Sequence, residues 1–180
     1  MIDKISLFHL KDTKHVIGAV THTADPDRKA SAATLAPGGV LIRDFVTMPG
    51  TVFTFLVPPD EVDVISVDFD EELLLQPRRF VIGEDKKPAP QPTSAINTAT
   101  LTATKITITP NAGAVPVTED TFVWVQVSGG SLTTPIIKSI KIEKGSATAE
   151  FPLTRLTAGT YQMLALATGR LPRLEDQILT

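Results

Sequence analysis

The segment from Ser146 to Ala167 constrains the fold more than any other part of the chain. Its two ends have the composition and alternation of β-strands. Between them, Leu156, Gly159 and Tyr161 follow the spacing Leu-x-x-Gly-x-Tyr. The segment therefore predicts a strand, a sharp corner and a second strand, and it carries no sign of chemistry.

The spacing of Leu156, Gly159 and Tyr161 resembles the tyrosine corner of immunoglobulin-like β-sandwiches, in which a tyrosine entering a central strand hydrogen-bonds to the backbone just upstream. The resemblance is to bacterial immunoglobulin-like domains, covers about residues 96–169, and includes a strand tryptophan, Trp124. It implies that Trp124, Gly159 and Tyr161 define the fold, with both aromatic residues in the core. The chain has no cysteine, so it lacks the pair on which that tryptophan packs in antibody domains.

The rest of the C-terminal half contains Thr-rich, β-branched and aromatic runs separated by turn residues. Residues 100–109 alternate threonine with small or apolar residues and predict one strand. Residues 136–142 and 147–153 predict a hairpin that turns at 143–146. Six or seven short strands with regular turns favour a sandwich.

The N-terminal half resembles no family, and its apolar runs are broken by glycine or proline. They predict strands at 4–10, 16–20, 39–43, 51–57, 61–69 and 79–82, with a short helix at 27–35. Within 61–69, apolar and polar residues alternate, which favours a strand over a helical turn. We expect a small β-barrel or sandwich.

A segment with four charges and three prolines, residues 84–94, is typical of an extended linker. The predicted fold class is therefore all-β, with an N-terminal β domain (1–85), a Pro-rich linker (86–95), an immunoglobulin-like β-sandwich (96–170) and a C-terminal arm (171–180). The arm carries apolar residues that a solvated tail seldom needs. It is predicted to dock on the first domain or on a neighbouring subunit through Leu171, Leu174, Ile178 and Leu179.

Two groups of residues are candidates for binding metal. A site of His9, His15 and His22 would suit zinc, but their spacing matches no ligand motif. The carboxylates of residues 60–72 would suit calcium, but no calcium-loop motif accompanies them. We expect the histidines to be ordinary strand residues and the carboxylates to form a solvated face, with no metal and no cofactor. The carboxylates are those of Asp60, Glu61, Asp63, Asp68, Asp70, Glu71 and Glu72.

No set of residues predicts catalysis, so we expect no enzyme. Asp63 or Asp68 with Glu72 resembles a glycosidase pair only by proximity in sequence. There is no Gly-x-Ser-x-Gly motif and no phosphate-binding glycine loop. An enzyme would instead need a pocket that gathers one of the histidines with Asp25 or Asp27.

The formal net charge of -3 gives no general attraction to nucleic acid or anionic membranes. The N-terminus has no signal-peptide pattern, which predicts synthesis in the cytoplasm and is compatible with a place in a virion or extracellular particle. By analogy of fold, we expect a structural protein, a homo-oligomeric subunit or adaptor of a virion, phage tail or injection machine. Its partners would be copies of itself or other subunits, and a small-molecule ligand is not expected. The alternative is a ligand-binding or adhesion module that recognises a surface glycan or protein.

Overall fold

The computed structural model describes the backbone of residues 4–22, 31–45 and 52–180. Strands hold 52% of the residues, and the predicted all-β class is confirmed. The chain divides into two compact units, Met1–Gln91 and Pro92–Thr180. The division falls within the segment predicted as a linker, residues 86–95.

The described part of the N-terminal unit contains seven strands in three small sheets: a sheet of order β2-β1-β5 and the antiparallel pairs β3-β4 and β6-β7. These described strands do not close into a barrel, so the barrel alternative is wrong. Within this sheet, β2 and β5 each pair with β1 and not with each other. The elements are β1 (Lys4–Leu10), β2 (Val16–His22), α1 (Ala32–Leu35), β3 (Val40–Phe45), β4 (Val52–Val57), β5 (Val62–Asp68), α2 (Glu71–Leu75), β6 (Phe80–Ile82) and β7 (Pro88–Pro90).

Strand β1 is the centre of the N-terminal unit because it is buried on both faces. Ile5 and Leu7 point to one face and pack with Leu73 of α2 and Ile82 of β6. Phe8 points to the other face, where it lies opposite Gly18 of β2. A strand covered on both sides reads as a nearly continuous apolar run.

Strand β5 confirms the prediction that most of 61–69 is a strand rather than a helical turn. A single 3-10 turn, Pro59–Glu61, precedes it. Helix α2 follows because Asp70 caps it, its Oδ1 accepting hydrogen bonds from the backbone N–H groups of Glu72 (2.8 Å) and Leu73 (3.2 Å). Of the helix predicted at 27–35, α1 is present from Ala32, and residues 27–30 lie outside the described residues.

The C-terminal unit is a sandwich of two antiparallel sheets, of order β12-β9-β8 and β11-β10-β13-β14. Side chains from both sheets fill one core, among them Ile106 and Ile108 of the first and Val123, Val125 and Met163 of the second. The strands are β8 (Thr98–Leu101), β9 (Lys105–Thr109), β10 (Thr121–Gly129), β11 (Ile136–Ile142), β12 (Ala149–Pro152), β13 (Gly159–Ala167) and β14 (Arg173–Leu179).

The run 100–109, predicted as one strand, is instead interrupted by the turn between β8 and β9. The Oγ1 atom of Thr102 accepts hydrogen bonds from the backbone N–H groups of Thr104 (3.4 Å) and Lys105 (3.1 Å). A threonine side chain that binds nearby backbone in this way stabilises a turn.

The hairpin predicted for 136–153 is also wrong. Strand β11 pairs with β10, whereas β12 pairs with β9 in the other sheet. The connection between them therefore crosses from one sheet of the sandwich to the other. Its backbone is bonded to Val117, whose N–H donates to the Ser146 carbonyl (2.8 Å) and whose carbonyl accepts from the Gly145 N–H (2.9 Å).

Most of residues 171–180, predicted as a separate arm, belong to the last strand of the sandwich, β14 (Arg173–Leu179). Strand β14 pairs with β13 from Arg173 to Leu179. At its start, Arg173 Nη1 donates to the carbonyls of Ile96 (2.8 Å) and Asn97 (2.5 Å). The beginning of β14 is thus tied to the segment that leads into β8.

Candidate functional site

The tyrosine corner has the predicted hydrogen bond: the Tyr161 hydroxyl donates to the Thr157 carbonyl over 2.9 Å. The tyrosine is 0% exposed, and its ring packs directly on Gly130. A Cβ atom on Gly130 would lie 2.3 Å from the ring Cζ, and one on Gly159 would lie 3.2 Å from the Gly130 Cα. The corner therefore locks the end of β10 against the start of β13 and offers no reactive group.

Trp124 is 1% exposed, but it is not part of the sandwich core. Strand residues alternate between faces, and Val123 and Val125 occupy the inward positions of β10. Trp124 therefore points to the opposite face, in register with Leu166 of β13. The expected burial of Trp124 is therefore confirmed. Its side chain does not pack between the two sheets, however, as the strand tryptophan of antibody domains does.

The four predicted subunit-contact residues have different positions in β14 and the turn before it. Leu179 packs against the sandwich core, and Leu171 forms a parallel bridge with Ala95. Leu174 lies opposite Leu164 of β13. Ile178 is 74% exposed, and it alone of the four presents a large exposed apolar side chain.

The structure does not gather the three histidines into a metal site within the described residues. His9 on β1 and His15, which bridges to Val81, are both buried. The side chain of His22 lies outside the described residues. Among the side chains that are described, no group of three His, Cys, Asp or Glu residues is suited to hold a metal ion.

The acidic residues of 60–72 do not share one face. Asp68 pairs with Lys4 over 2.5 Å, and this hydrogen bond lowers the pKa of the carboxyl group. Asp70 caps α2, and Glu72 lies in the first turn of that helix. Asp63 lies opposite His9. It is on the other face of β5 from Asp68, because an even number of residues lies between Asp63 and Asp68 and successive side chains alternate between faces. The expectation of a single solvated face is wrong for β5.

A cavity of about 360 Å³ in the N-terminal unit is lined by His9. Its volume falls within the range of roughly 300–1,000 Å³ that is usual for small-molecule sites. We call it the His9 cavity; its other lining residues are Lys14, Asp63, Val64, Ile65, Ile82, Gly83, Glu84 and Lys86. Asp25 and Asp27, the carboxylates that an enzyme would need beside a histidine, lie outside the described residues, and Asp63 is the carboxylate opposite His9.

The hydrogen bonding of His9 determines which ring nitrogen is available. Its Nδ1 lies 3.1 Å from the Leu10 carbonyl, which only accepts, so Nδ1 carries the proton of the neutral ring and Nε2 carries the lone pair. The pKa of His9 is lowered, and burial is the largest cause. The positive charge of Lys14 also lowers it. The hydrogen bond to Leu10 and the negative charge of Asp63 raise it, but by less than burial lowers it. The ring is therefore neutral near pH 7, with Nε2 as an acceptor.

Two lysines of the His9 cavity sit in turns with an unusual backbone conformation. Lys14 and Lys86 have φ values of 63° and 59°, and only one other described non-glycine residue, Ala114, has a positive φ. The Lys14 carbonyl accepts from the Ile82 N–H over 2.8 Å, and the Lys86 N–H donates to the Gly83 carbonyl over 3.0 Å. This conformation costs a lysine about 1–2 kcal/mol, and such strain is concentrated at functional sites.

The His9 cavity could not have been found from the sequence alone. Its polar and charged residues come from β1, the β1–β2 turn, β5 and the turn after β6. None of them stands in a motif, and the pairing of β1 with β5 brings His9 and Asp63 together. The lysines carry no local signal of a positive φ, because lysine is not enriched in that conformation.

No protein-family model matches this chain, and comparison with curated proteins and with solved structures finds no significant match. In the described part of the chain, no helix has the length and apolar character needed to span a bilayer. The functional interpretation therefore depends on the geometry of the chain itself.

Proposed function

We propose that the protein is a non-catalytic structural subunit of a multi-subunit assembly of the virion, phage-tail or injection-machine kind, and that its C-terminal unit is an immunoglobulin-like domain. The observation that carries this proposal is the exposure of Ile178, 74%, on the edge strand β14. The partner is a second copy of the chain.

The geometry of β14 supports a contact at its C-terminal end. Leu179 packs against the sandwich core, so its neighbour Ile178 points outward. At the other end of the strand, Arg173 is bonded to the segment before β8. No described strand pairs with the outer edge of β14 near Ile178. An added strand would satisfy these backbone groups and cover the isoleucine.

The sandwich also has the rigidity expected of a building block. The Tyr161 corner ties β10 to β13, and Arg173 ties β14 to the start of the unit. The sole Trp and the sole Tyr are 1% and 0% exposed, so neither offers the stacking surface that a glycan-binding module uses. The link to particles and injection machines is an analogy of fold.

Size-exclusion chromatography with light scattering over a concentration series tests this proposal. The expected result is a mass that rises with concentration for the full-length protein. The Ile178→Ser variant should shift toward the monomer, because it removes the apolar side chain from the contact. Val115→Ser is the matched control, since Val115 is 57% exposed but lies in the loop before β10. A strict monomer up to the highest soluble concentration, or equal effects of both substitutions, would overturn the proposal.

A further inference from the structure

We propose that the His9 cavity binds a small zwitterion with an apolar side chain, of the size of a free aliphatic amino acid. The proposal concerns the N-terminal unit and does not rest on the assembly role proposed for the C-terminal unit. It also runs against the sequence-based expectation that a small-molecule ligand is absent.

The charges around the cavity favour a ligand that carries both signs. Lys14 and Lys86 supply two positive charges, and Asp63 and Glu84 supply two negative charges. Within the described part of the chain, none of these four forms an ion pair with another side chain. A simple anion would be repelled by the carboxylates and a simple cation by the lysines, whereas a zwitterion can meet opposite charges at both ends.

His9 and Asp63 are suited to the ammonium group. They lie directly opposite each other in the pairing of β1 with β5, so their side chains share one face with Cβ atoms about 5 Å apart. The neutral His9 ring offers Nε2 as an acceptor, because Nδ1 is bonded to the Leu10 carbonyl. An ammonium group has three donors, and an imidazole nitrogen with a carboxylate accepts two of them.

Lys14 and Lys86 are suited to the carboxylate. Each stands in a tight turn whose backbone is held by hydrogen bonds, from the Lys14 carbonyl to the Ile82 N–H and from the Lys86 N–H to the Gly83 carbonyl. Both residues have the left-handed backbone conformation and line the cavity. Val64, Ile65 and Ile82 line the rest of the cavity and provide an apolar surface for the ligand's side chain.

Calorimetric titration of the full-length protein with three related probes tests the proposal without any mutation. Leucine carries both charged groups, 4-methylpentanoate lacks the amine, and 3-methylbutylamine lacks the carboxylate. We expect saturable binding of leucine and at least roughly tenfold weaker binding of each truncated probe, because each loses one charge-assisted contact. No saturable binding of leucine or valine, or equal binding of 4-methylpentanoate, would overturn the proposal.

Substitutions then assign the two ends of the ligand. Lys86→Gly keeps the positive φ but removes the ammonium, and it should weaken leucine at least fivefold without affecting 3-methylbutylamine. Asp63→Asn should weaken leucine without weakening 4-methylpentanoate. Lys144→Gly, in the turn after β11, removes the same charge far along the chain and should leave leucine binding unchanged. Equal losses in Lys86→Gly and Lys144→Gly, or unchanged binding in Asp63→Asn, would contradict the assignment.

Discussion

Replacing Gly130 by alanine should destabilise the C-terminal unit severely, because the new methyl group would overlap the buried Tyr161 ring. The Cβ atom would lie 2.3 Å from Cζ, 2.4 Å from Cε1 and 2.7 Å from the hydroxyl oxygen. The ring cannot move away without breaking its hydrogen bond to Thr157. Overpacking of this kind costs about 1–3 kcal/mol. Gly130 also has a φ of 54°, which costs alanine about 1–2 kcal/mol more. The expected loss is thus about 2–5 kcal/mol.

Gly169→Ala separates the two causes of this loss. Gly169 has a φ of 69°, but a Cβ atom there would meet nothing within 4 Å. Only the conformational cost of about 1–2 kcal/mol should remain. Urea unfolding of the full-length protein measures both variants, with the fluorescence of Trp124, the only tryptophan, reporting on the C-terminal unit. Equal losses in the two variants would refute the packing of Tyr161 against Gly130.

Three further outcomes are expected, each measured by urea unfolding. Tyr161→Phe should cost about 0.5–1.5 kcal/mol, the usual worth of one hydrogen bond; no loss would mean that the bond to Thr157 contributes nothing. Arg173→Gln should cost about 1.5–3 kcal/mol because two backbone carbonyls lose a charged donor. Lys105→Gln is the control, since Lys105 is in an exposed ion pair with Glu150, and it should cost less than about 1 kcal/mol. A larger loss in Lys105→Gln than in Arg173→Gln would contradict the stabilising role of the Arg173 hydrogen bonds. Burial lowers the folded pKa of His9 below the ordinary histidine value of 6.5, so the unfolded state binds more protons than the folded state as the pH falls. The stability of the wild-type protein should therefore decrease below about pH 6.5 down to the lowered folded pKa, more steeply than that of His9→Gln, and identical slopes would argue against a neutral buried ring.

Features specified by neighbouring residues could be predicted from the sequence. The corner is one, because the donor and the acceptor of its hydrogen bond, Tyr161 and Thr157, lie only four residues apart in the sequence. Strand β5 is another, since the alternation of Ile65 and Val67 with polar residues is visible in six residues. These elements depend on side chains that act within one strand or one turn.

Features that depend on which strands meet could not be predicted. A Gly-containing turn between two strands, as between β11 and β12, is typical of a hairpin. The two strands nevertheless pair with partners in different sheets, and no residue near the turn indicates this. The turn at Thr102 is hidden in a Thr-rich alternation that continues on both sides. Residues 171–180 are predicted as an arm because they follow the last predicted strand of the sandwich, and the role of β14 as a strand depends on its pairing with β13.

The two proposed sites can be tested separately because they belong to different compact units. Ile178→Ser changes one edge of the sandwich and should lower the apparent mass without changing leucine binding. Asp63→Asn changes one wall of the His9 cavity and should weaken leucine binding without changing the mass. If either substitution altered both measurements, self-association at the edge of β14 and ligand binding in the His9 cavity would be energetically coupled. A ligand shifts the equilibrium between monomer and oligomer only if it binds the two with different affinities. Unaltered cross-measurements would instead establish an assembly unit and a ligand-binding unit with independent roles.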